Sequence, residues 1–453
     1  MTYNSLLPLK VSAGRHSMTA KVSSAGRHSM TAKALPLLAV LFAFTSCLKD
    51  QEEAFEQSAP LRLQATLDQM KHTLRSAPYG WELEYYSAEN FGGIVYTIKF
   101  DSLSATIGCS LVPDSTDQCL YRLTSDSGPV LSFDTYSPLL HYFSTPSSSE
   151  YEAKGGEFEF VVSNITDSLI TIYGKKSRRN MQLRRLKATA EDYSQRTIDI
   201  YDNLPQGFKG QIGTADVEGL FSMASKRLNF VNGTDTIATV SFVVNNQGIR
   251  LYNPITLGGK RVQAFAFNQA DTTFTCLDAG SADVVLKGMN AKEGIVPFKN
   301  YAGNYNLRYN GNSSSTRVEL APNRLENTYS LRGLSSKYEL KLHYNDATGY
   351  LTLGPQTVGD IGGNAVYFAT YSIEDGHLWI SDEASFTLKW NNNKVRVGYH
   401  FTATNPSRYN CTSALLVTLA IHADGTASAS LVDDPAWGPS MLTNLSSLQK
   451  LAN

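Results

Sequence analysis

Trp81-Glu82-Leu83-Glu84-Tyr85 alternates apolar and polar side chains, and Ile94-Val95-Tyr96-Thr97-Ile98-Lys99-Phe100 repeats the pattern a short loop later. A period of two belongs to a pleated strand with one face in a core. The pattern continues outward through Val130-Leu131-Ser132-Phe133, Glu157-Phe158-Glu159-Phe160-Val161-Val162 and Leu169-Ile170-Thr171-Ile172-Tyr173. It returns in Arg227-Leu228-Asn229-Phe230, Thr239-Val240-Ser241-Phe242-Val243-Val244 and Val262-Gln263-Ala264-Phe265-Ala266-Phe267. A third block runs from Tyr301 through His400 to Val417. Asn232-Gly233, Asn310-Gly311 and Asp375-Gly376 punctuate these runs as hairpin turns.

Only two stretches have a helical period. Ser58-Ala59-Pro60 looks like a capped helix start, and Leu63, Leu67, Met70 and Leu74 follow at spacings of three and four. The other lies near residues 190–203, before Pro205. The expected fold is therefore mainly β: two or three antiparallel β-sandwich or barrel-like domains, with a short N-terminal amphipathic helix and a linking helix. The expected divisions are 58–190 for the helix and first β domain, 205–300 for a middle β region and 301–453 for a C-terminal barrel-like domain.

A loose phrase recurs in the three blocks. Gly128-Pro129-Val130-Leu131-Ser132-Phe133 leads to Ser137-Pro138, Gly248-Ile249-Arg250-Leu251-Tyr252 to Asn253-Pro254, and Gly349-Tyr350-Leu351-Thr352-Leu353 to Gly354-Pro355. A glycine turn, a short strand and a proline, used three times, suggest repeated β units.

Residues 1–46 have the pattern of an export signal. The charges up to Lys49 are all positive, and an apolar run from Ala34 to Phe44 ends in Thr45-Ser46-Cys47. That run is too short to span a bilayer, which takes ~20 residues. A basic region, an apolar core and small residues before a cysteine form a lipoprotein signal. Cleavage is expected between Ser46 and Cys47, with lipid, including an acyl chain such as palmitate, on the Cys47 thiol. The leader contains a perfect duplication: the Ser12–Lys21 sequence recurs at Ser24–Lys33, so residues 1–29 read as a duplicated or mis-started leader. Residues 47–57 form a tether that opens Leu48-Lys49-Asp50-Gln51-Glu52-Glu53.

The formal net charge of −1 becomes −6 once the five basic residues before Cys47 are removed. No basic face for nucleic acid is suggested. Cys109 and Cys119 flank Pro113-Asp114-Ser115; in an oxidising compartment they form either a hairpin disulfide or two buried thiols.

The search for chemistry is negative. There is no His-Glu-x-x-His, no Gly-x-Ser-x-Gly and no Gly-Lys-Ser/Thr phosphate loop. Past the leader, His72, His141, His343, His377, His400 and His422 never fall two or four residues apart, so no local metal clamp appears. No catalytic residue, cofactor or metal is assigned. Asp134 and His141 are a candidate acid–base pair, against the plainer roles of a turn cap and a half-buried histidine. Trp379, Trp390 and Trp437 are candidates for stacking on a flat ligand, against ordinary core roles. Lys175-Lys176-Ser177-Arg178-Arg179 reads as a solvated turn, and Gly359-Asp360-Ile361-Gly362-Gly363 as a hairpin loop.

Several of these stretches carry a resemblance: Ser58-Ala59-Pro60-Leu61-Arg62-Leu63, Ser76-Ala77-Pro78-Tyr79-Gly80-Trp81, Phe91-Gly92-Gly93, and above all Ser127-Gly128-Pro129-Val130-Leu131-Ser132-Phe133-Asp134-Thr135-Tyr136-Ser137-Pro138-Leu139-Leu140-His141, followed by Gly155-Gly156-Glu157-Phe158-Glu159-Phe160. The sequence resembles a Bacteroidota-type lipoprotein family known only as domain of unknown function 4302. It looks calycin-like after Tyr301. The resemblance implies an outer-membrane protein, lipid-anchored and exposed at the cell surface. It also implies an accessory, non-enzymatic binding role beside a nutrient transporter and a SusD-like lipoprotein. The alternatives are a hydrolase whose site assembles only in space, and a structural or adhesive surface protein.

Overall fold

The computed structural model describes residues 58–451, apart from 89–90, 127, 147–150, 152, 234, 290–294, 392–397 and 422–426. The signal, Cys47, the tether and His422 lie outside the described residues.

The first helix, Ala59–Arg75, starts on Pro60, although the Ser58 side chain makes no capping bond. Its inward stripe runs from half-buried Leu63 and Leu67 to fully buried Met70 and Leu74. That stripe packs on strands of the first barrel, against Val112–Ser125 and Gly93–Phe100. The Trp81 indole donates to the Leu74 carbonyl at 2.8 Å and fixes the helix end to the first strand.

Three closed antiparallel barrels of eight strands each make up the β body. The first runs from Trp81–Tyr86 to Asn180–Arg185 and closes by pairing those two strands, with Leu83 opposite Leu183. The helix Ala190–Asn203, capped by the Thr189 side chain, leads to the second. The middle barrel runs from Gly207–Ile212 to Val285–Met289 and closes at Phe208 opposite Gly288. The third runs from Gly303–Tyr309 to Ser447–Lys450 and closes at Tyr305 opposite Lys450. Excursions after its fifth strand, Leu351–Leu353, and after its seventh, Gly398–Ala403, build an added sheet of Gln356–Ile361, Asn364–Tyr371, Ser413–Ile421 and Ala427–Leu431, with two short strands beside it.

The recurring phrase has a structural meaning. Pro129–Phe133, Gly248–Leu257 and Leu351–Leu353 are each the fifth strand of their barrel. Equivalent sequence falls at an equivalent place in three successive meanders.

An eight-stranded barrel is just wide enough for side chains to fill it, and large rings fill these. Tyr85, Tyr96, Phe133 and Phe160 pack the first, Phe208, Phe230, Phe265 and Phe274 the middle, and Tyr301, Tyr305 and Tyr329 the third, all 0–1% exposed. The apolar core runs without a break through the first and middle barrels; the third has its own.

The Cys109–Cys119 disulfide does not form. Both cysteines are buried free thiols. The register explains why. Cys119 stands opposite Ala105, and Cys109 opposite Val112. Cys109 therefore lies four residues along the strand from the partner of Cys119, about 13 Å away, whereas a disulfide needs its Cα atoms within ~7 Å. The Cys119 thiol instead donates to the Thr135 carbonyl at 2.7 Å.

A candidate site at the junction of three barrels

The turn Arg324-Leu325-Glu326-Asn327 joins two strands of the third barrel, Ser314–Asn323 and Thr328–Arg332. Asn327 takes a left-handed φ of 55°, and Asn323 Oδ1 accepts from the Glu326 amide at 3.2 Å. Asparagine tolerates that conformation better than most residues. The turn projects out of its barrel, and each of its four residues engages a different part of the molecule.

Arg324 forms a two-pronged pair with Asp202 of the linking helix, at 2.7 and 2.6 Å, and its carbonyl accepts from the Tyr201 hydroxyl. The Leu325 carbonyl accepts from Lys226 of the middle barrel at 2.8 Å. Glu326 takes the Tyr142 hydroxyl of the first barrel on one oxygen and Lys341 on the other, at 2.5 Å. Asn327 donates to Asp346 at 3.1 Å, and Asp346 in turn accepts from the Met223 and Ala224 amides of the middle barrel.

Lys226 is the most deeply placed of these groups, 1% exposed, with its ammonium 5.1 Å from the centre of the Phe91 ring. Burial pushes its pKa down to about 8. Burial raises the Asp346 carboxyl above its ordinary value. The first barrel meets this seam through Phe91-Gly92-Gly93, where the Gly92 amide donates to the Ser225 carbonyl at 2.7 Å. A Cβ on Gly92 would lie 1.9 Å from the Lys226 carbonyl oxygen, so only glycine fits.

Above the seam opens a cleft of about 940 Å³ with walls from all three barrels. It is lined by the rings of Phe91, Tyr136 and Phe143 and by Lys154 of the first barrel and Glu326, Lys341 and His343 of the third. Tyr142 lines it too, its hydroxyl accepting from Lys154 at 2.7 Å. Burial and neighbouring Lys341 lower the His343 pKa.

Asp134 and His141 do not form an acid–base pair. Asp134 is salt-bridged to Arg122 at 3.0 Å and accepts from the Ser132 hydroxyl. His141 Nδ1 accepts from the Ser137 amide at 3.1 Å, and its ring lies between Tyr136 and Phe158, with centroids 5.4 and 5.0 Å away. Burial lowers its pKa. His141 thus backs the Tyr136 ring on the cleft wall, so the segment matters for the site through its tyrosines and not through its acid and base.

None of the three candidate tryptophans lines the cleft. Trp437 is 8% exposed and packs on Tyr338 and over Gly359, while Trp379 lies against His377 and Tyr409. Trp390 is exposed beside Tyr399. The basic turn at 175–179 is tied to neighbours: Lys175 to Asp126 at 2.8 Å, and Arg179 near the Tyr252 ring of the middle barrel. The 359–363 glycines form a hairpin in the added sheet, with Ile361 opposite Asn364. Among the described residues, no His, Cys, Asp and Glu side chains group in threes as a metal would need.

Residues 51–269 match the family called domain of unknown function 4302 (DUF4302), and residues 277–417 match a second domain of unknown function, DUF4987. The boundary falls inside the middle barrel, between its sixth strand, Lys260–Asn268, and the end of its seventh, Thr273–Cys276. No curated protein matches the chain.

Proposed function

We propose, for a chain that carries a DUF4302 domain followed by a DUF4987 domain, that it is an exported, lipid-anchored binding protein of the outer cell surface, with the three-barrel cleft as its ligand site. The observation that carries this reading is the cleft, a concavity built jointly by three barrels whose own interiors are filled. Ligand sites are typically ~300–1,000 Å³, with apolar walls and a few placed polar groups. About 940 Å³ lined by aromatic rings and a few charged groups fits that description.

The reading is of binding without turnover. The polar groups of the cleft are tied to one another, Lys154 to Tyr142, Tyr142 to Glu326 and Glu326 to Lys341. Among the described residues, no serine or cysteine lines it beside His343 to act as a nucleophile.

Cys47 supplies the anchor, and the acidic stretch after it favours the outer leaflet. There the protein serves a nutrient transporter and its SusD-like partner as an accessory. The test is a pull-down of the lipid-bearing protein from detergent-solubilised outer membranes, with Cys47→Ala beside it. The expected result is recovery of a transporter with the parent, and loss of both fatty-acid labelling and membrane retention in the variant. Fatty-acid labelling of the variant overturns the anchor. Recovery of no membrane partner by the intact lipoprotein overturns the accessory role.

A further inference from the structure

Tyr136 lines the cleft and is 62% exposed, yet its ring is held in place. The His141 ring lies against it, with 5.4 Å between centroids and 36° between planes. Phe158 lies against His141 in turn, at 5.0 Å and 33°. His141 is pinned where its Nδ1 accepts from the Ser137 amide. His141 therefore covers one side of the tyrosine ring, and the exposure leaves the rest of that ring open. A supported aromatic ring with an open face is a platform for another apolar face.

Two polar side chains of the third barrel add a second requirement. Thr328 and His343 stand opposite each other on adjacent strands, and both line the cleft. Among the described residues, neither the Thr328 hydroxyl nor the His343 ring has a hydrogen-bond partner. Thr328 is 2% exposed, and a hydroxyl so deeply placed calls for a partner from within the cleft. Burial and Lys341 lower the His343 pKa, so the ring is uncharged at neutral pH and offers one donor and one acceptor. A threonine hydroxyl also both donates and accepts. The charges beside them are engaged with each other, for Glu326 accepts from Lys341 at 2.5 Å and from the Tyr142 hydroxyl. The polarity left for a ligand at Thr328 and His343 is neutral and works in both directions.

We propose that the cleft takes a neutral oligosaccharide, with the C–H face of one sugar ring on Tyr136 and sugar hydroxyls bonded to Thr328 and His343. This inference rests on the reading of the cleft as the ligand site. A sugar joins the two chemistries in one molecule: its ring presents an apolar face, and each of its hydroxyls both donates and accepts. A purely apolar ligand would leave Thr328 buried without a partner, at a cost of about 1–3 kcal/mol. A volume of about 940 Å³ has room for more than one sugar ring.

The test presents the full-length protein to an array of neutral and acidic oligosaccharides and, in parallel, to a panel of nucleosides, amino acids, short peptides and fatty acids read by thermal shift. Binding to neutral oligosaccharides is expected. In titration calorimetry with the tightest of them, Tyr136→Ala should weaken binding about tenfold and Tyr136→Phe should retain it. Tyr136 is exposed, so its loss is tolerated by the fold. Thr328→Val, which keeps the shape and removes the hydroxyl, should weaken the same sugar about fivefold. A response confined to acidic oligosaccharides overturns the neutral class. Binding of a panel compound that Tyr136→Ala abolishes, with no oligosaccharide bound, overturns the saccharide and keeps the cleft as a ligand site. Oligosaccharide binding unmoved by both Tyr136→Ala and Thr328→Val overturns the placement in this cleft. If nothing on the array or the panel binds, the reading of the cleft as a ligand site falls as well.

Discussion

Single side chains at the seams of this protein work against the rules that govern its surfaces. Glu82 alternates outward from the first barrel, as its place in the strand dictates, yet the neighbouring barrel and linking helix cover it. Burial raises its pKa to about 6, against an ordinary 4.5. The folded state therefore keeps a proton between about pH 4.5 and 6 that the unfolded chain has released. The associated stability is full below the unfolded pKa and is lost as pH rises through 6, a change of about 2 kcal/mol. Glu82→Gln lacks that titration. Its stability relative to the parent should rise by about 2 kcal/mol between pH 4.5 and 7 in urea unfolding; a constant difference across that range would contradict the burial. Gly92→Ala should cost about 2–3 kcal/mol by the same measurement, because its new methyl meets a backbone oxygen that cannot rotate away. The Phe91-Gly92-Gly93 stretch is visible in sequence, but its reason is not: the oxygen belongs to Lys226, more than a hundred residues on.

At the scale of elements, the period-two runs, both helices and the recurring phrase were all legible, because each is a local pattern of side chains. The phrase even marks the fifth strand of every barrel. The turn 324–327 was not legible. Arg324 finds Asp202 at a separation of 122 residues, and Tyr142 finds Glu326 at 184. Nothing in the local pattern distinguishes such a turn from any solvated hairpin end. Sequence left a disulfide and two buried thiols both open for Cys109 and Cys119, and the structure has the thiols, for a related reason. Proximity in sequence brought Cys109 and Cys119 to adjacent strands, but the register set them four residues out of step. The turn makes its own prediction. The Arg324–Asp202 pair is 16% and 17% exposed at its side chains, so breaking it leaves a largely buried charge without its partner. Arg324→Ala should destabilise by about 2–4 kcal/mol, and the Arg324→Ala/Asp202→Ala double variant by clearly less than the sum of the two singles. Strict additivity in that cycle would mean the pair carries no coupling.

In the whole molecule, three filled barrels leave function to the space between them. The third barrel contributes the turn, the first contributes rings and Tyr142, and the middle contributes the buried lysine beneath. The cleft exists only when all three are docked, which is why no single stretch of sequence advertises it. The strongest family-bearing segment, residues 127–141, does border it, through Tyr136 and Pro138. The most direct measurement is hydrogen–deuterium exchange on the full-length protein beside Arg324→Ala, which loosens the turn that docks the third barrel. Faster exchange in the variant should appear together in 136–145, 154–156, 324–328 and 341–343, the separate segments that meet at the cleft. Acceleration confined to the added sheet or to a single barrel would contradict the account.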